Sequence, residues 1–145
     1  MNEMQLKFPA RSENEEFARN VVAAFSLPLN PSLAEISDIK TAVSEAVTNC
    51  IVHGYRGEEG WITLTCKTDG NSLHIEISDN GKGIEDLEQA LTPFYTSLPS
   101  EERSGMGFTI MQTFMSSFSV ESKAGEGTTV KMSKDFGRVA EADAG

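Results

Sequence analysis

The fold turns on TAVSEAVTNCIVHGY, residues 41–55, because two patterns share it. Val43, Val47 and Cys50 continue a stripe begun by Ile36 and Ile39, at three- and four-residue steps that fall on one side of an α-helix. Glu45, Asn49 and His53 follow at i, i+4 and i+8, lining a second side well away from that stripe. The spacing predicts a helix over residues 33–52, stopped by Gly54. Its polar row can be read as a plain solvated face. It can also be read as a site, because Ala42 and Ala46 flank it with small side chains. There an amide oxygen could ligate a hard cation such as Mg²⁺, and a carboxylate one turn away could accept a proton.

Working outward, residues 4–8 alternate polar and apolar side chains and predict a strand before Pro9. Ser12 and Glu15 have the spacing of a capping box and announce a helix with Phe17, Val21, Ala24 and Phe25 on its apolar face, ending near Leu27. Beyond the central helix, residues 61–68 (Ile62, Leu64, Cys66) and 73–78 (Leu73, Ile75, Ile77) alternate around a polar connection at 69–72, which predicts an antiparallel hairpin. A loop at 80–83 leads to a short helix around 86–91 and an irregular stretch at 92–104, the length of a lid or binding segment. A third helix is expected over 108–117. Val120 and residues 128–132 then form a hairpin closed at 124–127. The sum is an α+β two-layer sandwich with helices on one face of a mixed, mostly antiparallel sheet. One domain is expected over 1–134, with a flexible tail at 135–145.

Composition excludes several functions. A chain of 145 residues can bury about 68% of its unfolded surface, so it needs neither metal nor disulfide to fold. The 22 acidic against 12 basic side chains give a net charge of −10, with no Lys/Arg-rich run to neutralise phosphates, which argues against direct binding of nucleic acid. Cys50 and Cys66 fit neither a CxxC pair nor a zinc set and read as buried, reduced thiols. No apolar run reaches the roughly 20 residues of a membrane span and the N-terminus lacks a signal-peptide core, so a cytoplasmic location is expected.

Three glycine motifs remain. Asp79-Asn80-Gly81-Lys82-Gly83 follows a strand, where a carboxylate can read a ligand donor while glycines let backbone approach, although Asp-x-Gly also describes ordinary turns. Gly105-Met106-Gly107 opens a helix, whose free N–H groups attract phosphate. Gly125-Glu126-Gly127-Thr128-Thr129 reads most simply as a hairpin turn. Walker A and Rossmann fingerprints are absent, so any nucleotide site is of another type. Met106, Met111 and Met115 read as core filler, and His74 as a surface position.

In order along the chain, Glu45-xxx-Asn49-xxx-His53-Gly54, Asp79-x-Gly81-x-Gly83, Gly105-x-Gly107-Phe108 and Gly127-Thr128-Thr129 resemble the GHKL superfamily. Its Bergerat-type ATP-binding domain is shared by gyrase B, Hsp90, histidine kinases and MutL. The segments ARSENEEFAR, TAVSEAVTNCIVHGY, DNGKGIEDLEQA and ERSGMGFTIM are more closely similar to the small anti-sigma serine kinases of spore-forming bacteria.

That resemblance implies an ATP-dependent protein serine kinase that sequesters a sporulation sigma factor and phosphorylates its anti-anti-sigma antagonist. ATP or ADP and Mg²⁺ would be its cofactors. Asn49 would be the metal ligand, Glu45 the general base, and Asp79 the acceptor for the adenine amino hydrogen. Gly81 and Gly83 would shape the pocket floor and Thr128 would support the adenine end. Ser104, Gly105, Met106, Gly107 and Phe108 would hold phosphates, with residues 92–103 as the lid and Arg103 as the cation for the γ-phosphate. Relatives often place Lys after the paired lid hydroxyls, where this chain has Leu98 after Thr96-Ser97. A homodimer is implied as well, with the N-terminal strand and helix, bearing Arg11 and Arg19, as candidate surfaces. A sequestering module without catalysis and a simple ATPase are the competing readings.

Overall fold

Strand alternation decides which side of the sheet the helices cover. The computed structural model describes residues 1–84, 91 and 107–137. Five strands, β1 (Asn2–Pro9), β2 (Trp61–Asp69), β3 (Ser72–Asp79), β4 (Ser117–Lys123) and β5 (Gly127–Asp135), form one sheet in the order β1-β2-β3-β5-β4. Every neighbouring pair is antiparallel. The sheet is therefore not mixed as expected. The chain enters β4 at the far edge and returns through the 124–126 turn, so β5 fills the slot beside β3 running opposite to both neighbours.

Register aligns Leu6, Leu64, Ile77, Val130 and Val120 in one inward row, and Met4, Cys66, Ile75, Met132 and Phe118 in the next. Side chains between them, such as Gln5, Thr65, Glu76, Lys131 and Ser119, face outward and are polar, as a sheet covered on one face requires. His74 lies on this outer face and is exposed.

Helix α1 (Glu13–Ser26) and helix α2 (Leu33–Asn49) cover the inner face with α3 (Gly107–Phe114). Ile39, Ala42, Val43, Ala46 and Val47 of α2 are buried, as the stripe predicts. The α-helix gives way at Cys50 to a π-turn, Cys50–Gly54, so the predicted end at 52 becomes a change of pitch. On α1 the buried residues are Ala18, Val22 and Ser26, and Phe17 is exposed. The expected face is rotated by one residue, with small side chains turned inward. Phe25 still packs partly against the core.

The expected capping box at Ser12 is absent. Ser12 is already helical (φ −54°, ψ −38°), out of the extended conformation from which a cap hydroxyl reaches back. Glu15 instead accepts a hydrogen bond from Ser44 Oγ at 2.6 Å and pairs with Arg19 at 2.6 Å, tying α1 to α2. A capping box does form at α2, where Glu35 N donates to Ser32 Oγ (3.1 Å) and Ser32 N to Glu35 Oε1 (2.9 Å).

The third helix stops at Phe114, short of 117, because Ser117 already pairs with Ser133 in the sheet. Lys134 closes that helix from below, donating to the Phe114 carbonyl and pairing with Asp38 at 3.2 Å. Asp135 ends β5 and Phe136 is fully buried, so these two positions of the expected 135–145 tail belong to the packed domain. The short helix at 86–91, apart from Leu91, and the stretch at 92–104 lie outside the described residues.

Candidate functional site

Glu45 and Asn49, one turn apart on α2, are half-buried and face the start of α3. A β-carbon added to Gly107, the first residue of α3, would stand 3.2 Å from Asn49 Nδ2 and 3.4 Å from both Asn49 Oδ1 and Glu45 Oε1. Glycine lets the helix terminus come that close. A carboxylate and a carboxamide thus stand together against the first described turn of α3, offering oxygen donors for a cation. The π-turn takes His53 out of the α-helical register that Glu45 and Asn49 share. Phe108 is buried beside Phe118, its ring centroid 5.7 Å away, so its side chain serves the core.

Asp79 ends β3. Alternation along β3 puts residues 73, 75, 77 and 79 on the inner face, so the last of them carries a carboxylate into the layer filled elsewhere by Leu and Ile. Asp79 is 6% exposed. Burial pushes its carboxyl above the ordinary range. Hydrogen bonds from Gly81 N (2.8 Å), the Cys50 thiol and the Thr128 backbone partly offset this. Burial, with the Asp79 charge beside it, also drives the Cys50 thiol well up, which keeps it protonated and able to donate. Cys66 is pushed up to about 12 by burial alone. Both thiols are reduced and buried, as read from the sequence.

The loop after Asp79 threads between the π-turn and the β4–β5 hairpin. Lys82 N donates to Gly54 O at 3.0 Å, and a β-carbon at Gly81 would collide with that same carbonyl. Gly83 has φ +74° and packs on the Lys123 carbonyl, so both backbone freedom and absence of a side chain are required there. Thr128 Oγ1 bonds Ser122 Oγ at 2.7 Å, and Ser122 Oγ also accepts from Ile84 N at 2.8 Å.

The structure therefore brings Glu45, Asn49 and Gly107 together, and separately gathers Asp79, Gly81, Gly83 and Thr128. Arg103, Ser104, Gly105, Met106 and the lid at 92–103 lie outside the described residues. Sequence reasoning missed Ser122 and the contact of Cys50 with Asp79. Ser122 stands opposite Thr128, which pairs with Asp79, but that row exists only once register is known. Arg19, a candidate partner contact, is engaged by Glu15.

A helix-covered antiparallel sheet with a buried acid at a strand end and a carboxylate–carboxamide pair against a helix is the frame that the ATPase-domain class of sandwich shares. Residues 8–134 match the family described as the histidine kinase-like ATPase domain. The chain is 57% identical over 136 residues to the anti-sigma F factor of Thermoanaerobacter sp. (strain X514), covering 94% of this chain and 95% of that one. It is 53% identical over 135 residues to that of Clostridium acetobutylicum, covering 93% and 94%. Among solved structures, the RsbU and RsbW domains of a Mycobacterium tuberculosis protein align with TM-score 0.67 at 18% identity, over 93% of this chain and 32% of that one. The catalytic domain of the histidine kinase ThkA aligns with TM-score 0.57 at 15% identity, over 93% and 96%. The chain belongs to the histidine kinase-like ATPase family and, within it, to the anti-sigma F factors. Among the described residues no helix is long and apolar enough to cross a membrane.

Proposed function

We propose that the chain is a cytoplasmic, ATP-dependent protein serine kinase that holds a sporulation sigma factor inactive and phosphorylates the anti-anti-sigma protein that relieves the inhibition. The observation that carries this reading is the convergence of Glu45 and Asn49 on Gly107. A sequestering module has no use for a base aimed at a phosphate-binding helix start. Asp79 receives the adenine amino hydrogen, Gly81 and Gly83 let the base lie flat against backbone, and Thr128 braces that end. The N–H groups of residues 104–108 hold phosphates, with Arg103 as the cation for the γ-phosphate.

Asn49 has the hard oxygen donor that Mg²⁺ requires and would hold the ion. When bound, the ion neutralises charge on the triphosphate. Glu45 takes the proton of the attacking serine hydroxyl as the bond from serine oxygen to γ-phosphorus forms and the bond to the ADP oxygen breaks. A homodimer built on β1 and α1 is part of the same reading.

Labelled ATP incubated with the chain and a purified anti-anti-sigma protein should move label to a serine of that protein. Glu45→Ala should bind ATP but transfer none. Normal transfer by this variant removes Glu45 from its role. ADP without phosphoprotein would mean a simple ATPase, and neither product would mean sequestration alone.

A further inference from the structure

The pairing of β2 with β3 ends at Ile62 and Asp79, and the next rung would join Trp61 to Asn80. That rung is occupied by a side chain. The Tyr55 hydroxyl donates to the Trp61 carbonyl at 2.6 Å and accepts from Asn80 N at 2.8 Å, so one phenol oxygen stands where the two strands would otherwise bond each other. The ring is seated by Gly60, where any β-carbon would fall inside it, and by the π-turn, in which Tyr55 N donates to Cys50 O at 2.9 Å. The strands are thereby held apart one residue beyond Asp79. The chain leaves β2 at that point and turns under Gly54, where Lys82 N finds its carbonyl.

We infer that Tyr55 is a positioning residue for recognition of the nucleotide base, acting as a wedge that sets where the Asp79–Gly83 loop leaves the sheet. This rests on the reading of Asp79 as the acceptor for the adenine amino group. Without the hydroxyl, Asn80 either zips onto Trp61 or bonds water. Each shifts the backbone next to Asp79, whose carboxylate is tied to Gly81 only two residues on.

The test compares affinity for ATP with affinity for purine riboside triphosphate, which lacks the amino group, in wild type and in Tyr55→Phe. Wild type should prefer ATP. In Tyr55→Phe the preference should fall roughly three- to tenfold, the worth of a hydrogen bond held in poorer geometry, while the far-UV spectrum stays native. A general loss of stability would weaken both nucleotides equally and leave the ratio alone. If Tyr55→Phe does not fold, Gly60→Ala, which pushes the ring aside and keeps the hydroxyl, should lower the ratio in the same direction. A folded variant that retains the wild-type ratio overturns the inference and leaves the ATP reading standing. A wild type with no preference overturns the adenine assignment, and the inference with it.

Discussion

The regions around Asp79 and Gly107 are built differently. At Asp79 the carboxylate is buried and tied to Gly81 N, the Cys50 thiol and the Thr128 backbone, and the loop that follows is tied again by Tyr55 and Gly54. At Gly107 two side chains of one helix stand against another, so close that only a glycine fits there. On the function proposed above, recognition of the base falls to the first region and phosphoryl transfer to the second, where Glu45 and Asn49 are half-buried. Removing the base Glu45 should change rate and spare affinity, and removing Asp79 should do the reverse.

The largest effect tests the second region. Glu45→Ala should lower phosphotransfer by roughly 10²- to 10⁴-fold, the usual contribution of a general base, with ATP affinity measured by titration calorimetry changing only a few-fold. A parallel collapse of affinity would erase the contrast. Asp79→Asn should do the opposite, weakening ATP by about ten- to a hundredfold through loss of a bond to a charged acceptor.

Acidification sharpens the same point. Because burial raises the Asp79 pKa, its ionised form, the acceptor proposed for the adenine hydrogen, is lost above the pH at which an ordinary aspartate protonates. The preference for ATP over purine riboside triphosphate should fall as pH drops through that raised value, and Asp79→Asn should be flat. Stability linked to this group runs the other way. Its contribution is fully present below the unfolded-state value and lost as pH rises through the raised folded one, so at neutral pH Asp79→Asn should melt no lower than wild type. The smallest effect lies outside both regions, where Ser32→Ala should cost about 1 kcal/mol in denaturant unfolding by removing the α2 cap, with nucleotide affinity unchanged.

Much of the first region and the frame around it was legible in the sequence. Period two put Leu73, Ile75 and Ile77 on one face and period 3.6 along α2 separated Glu45 from Val43, while Asp79, read as following the strand, proves to be the last inward residue of β3. What escaped depended on long-range register. Ser122 joins the Asp79 region only because β4 pairs with β5 beside Thr128, and Tyr55 only because Trp61 and Asn80 meet at the end of a ladder. The Ser12 cap failed because Ser12 is itself helical, while Glu15 is engaged by Arg19 and by Ser44 of the next helix. Phe17 shows the limit of counting apolar residues, as the tighter seam runs through Ala18 and Val22 one position over.

Helix α2 borders both regions. Glu45, beside Gly107, and Cys50, which bonds Asp79, are five residues apart, about 7.5 Å of helical rise. On the function proposed above, the residue beside the phosphates and the residue that steadies the base acceptor are then carried by one rigid rod, so a displacement of α2 at either place would be felt at the other.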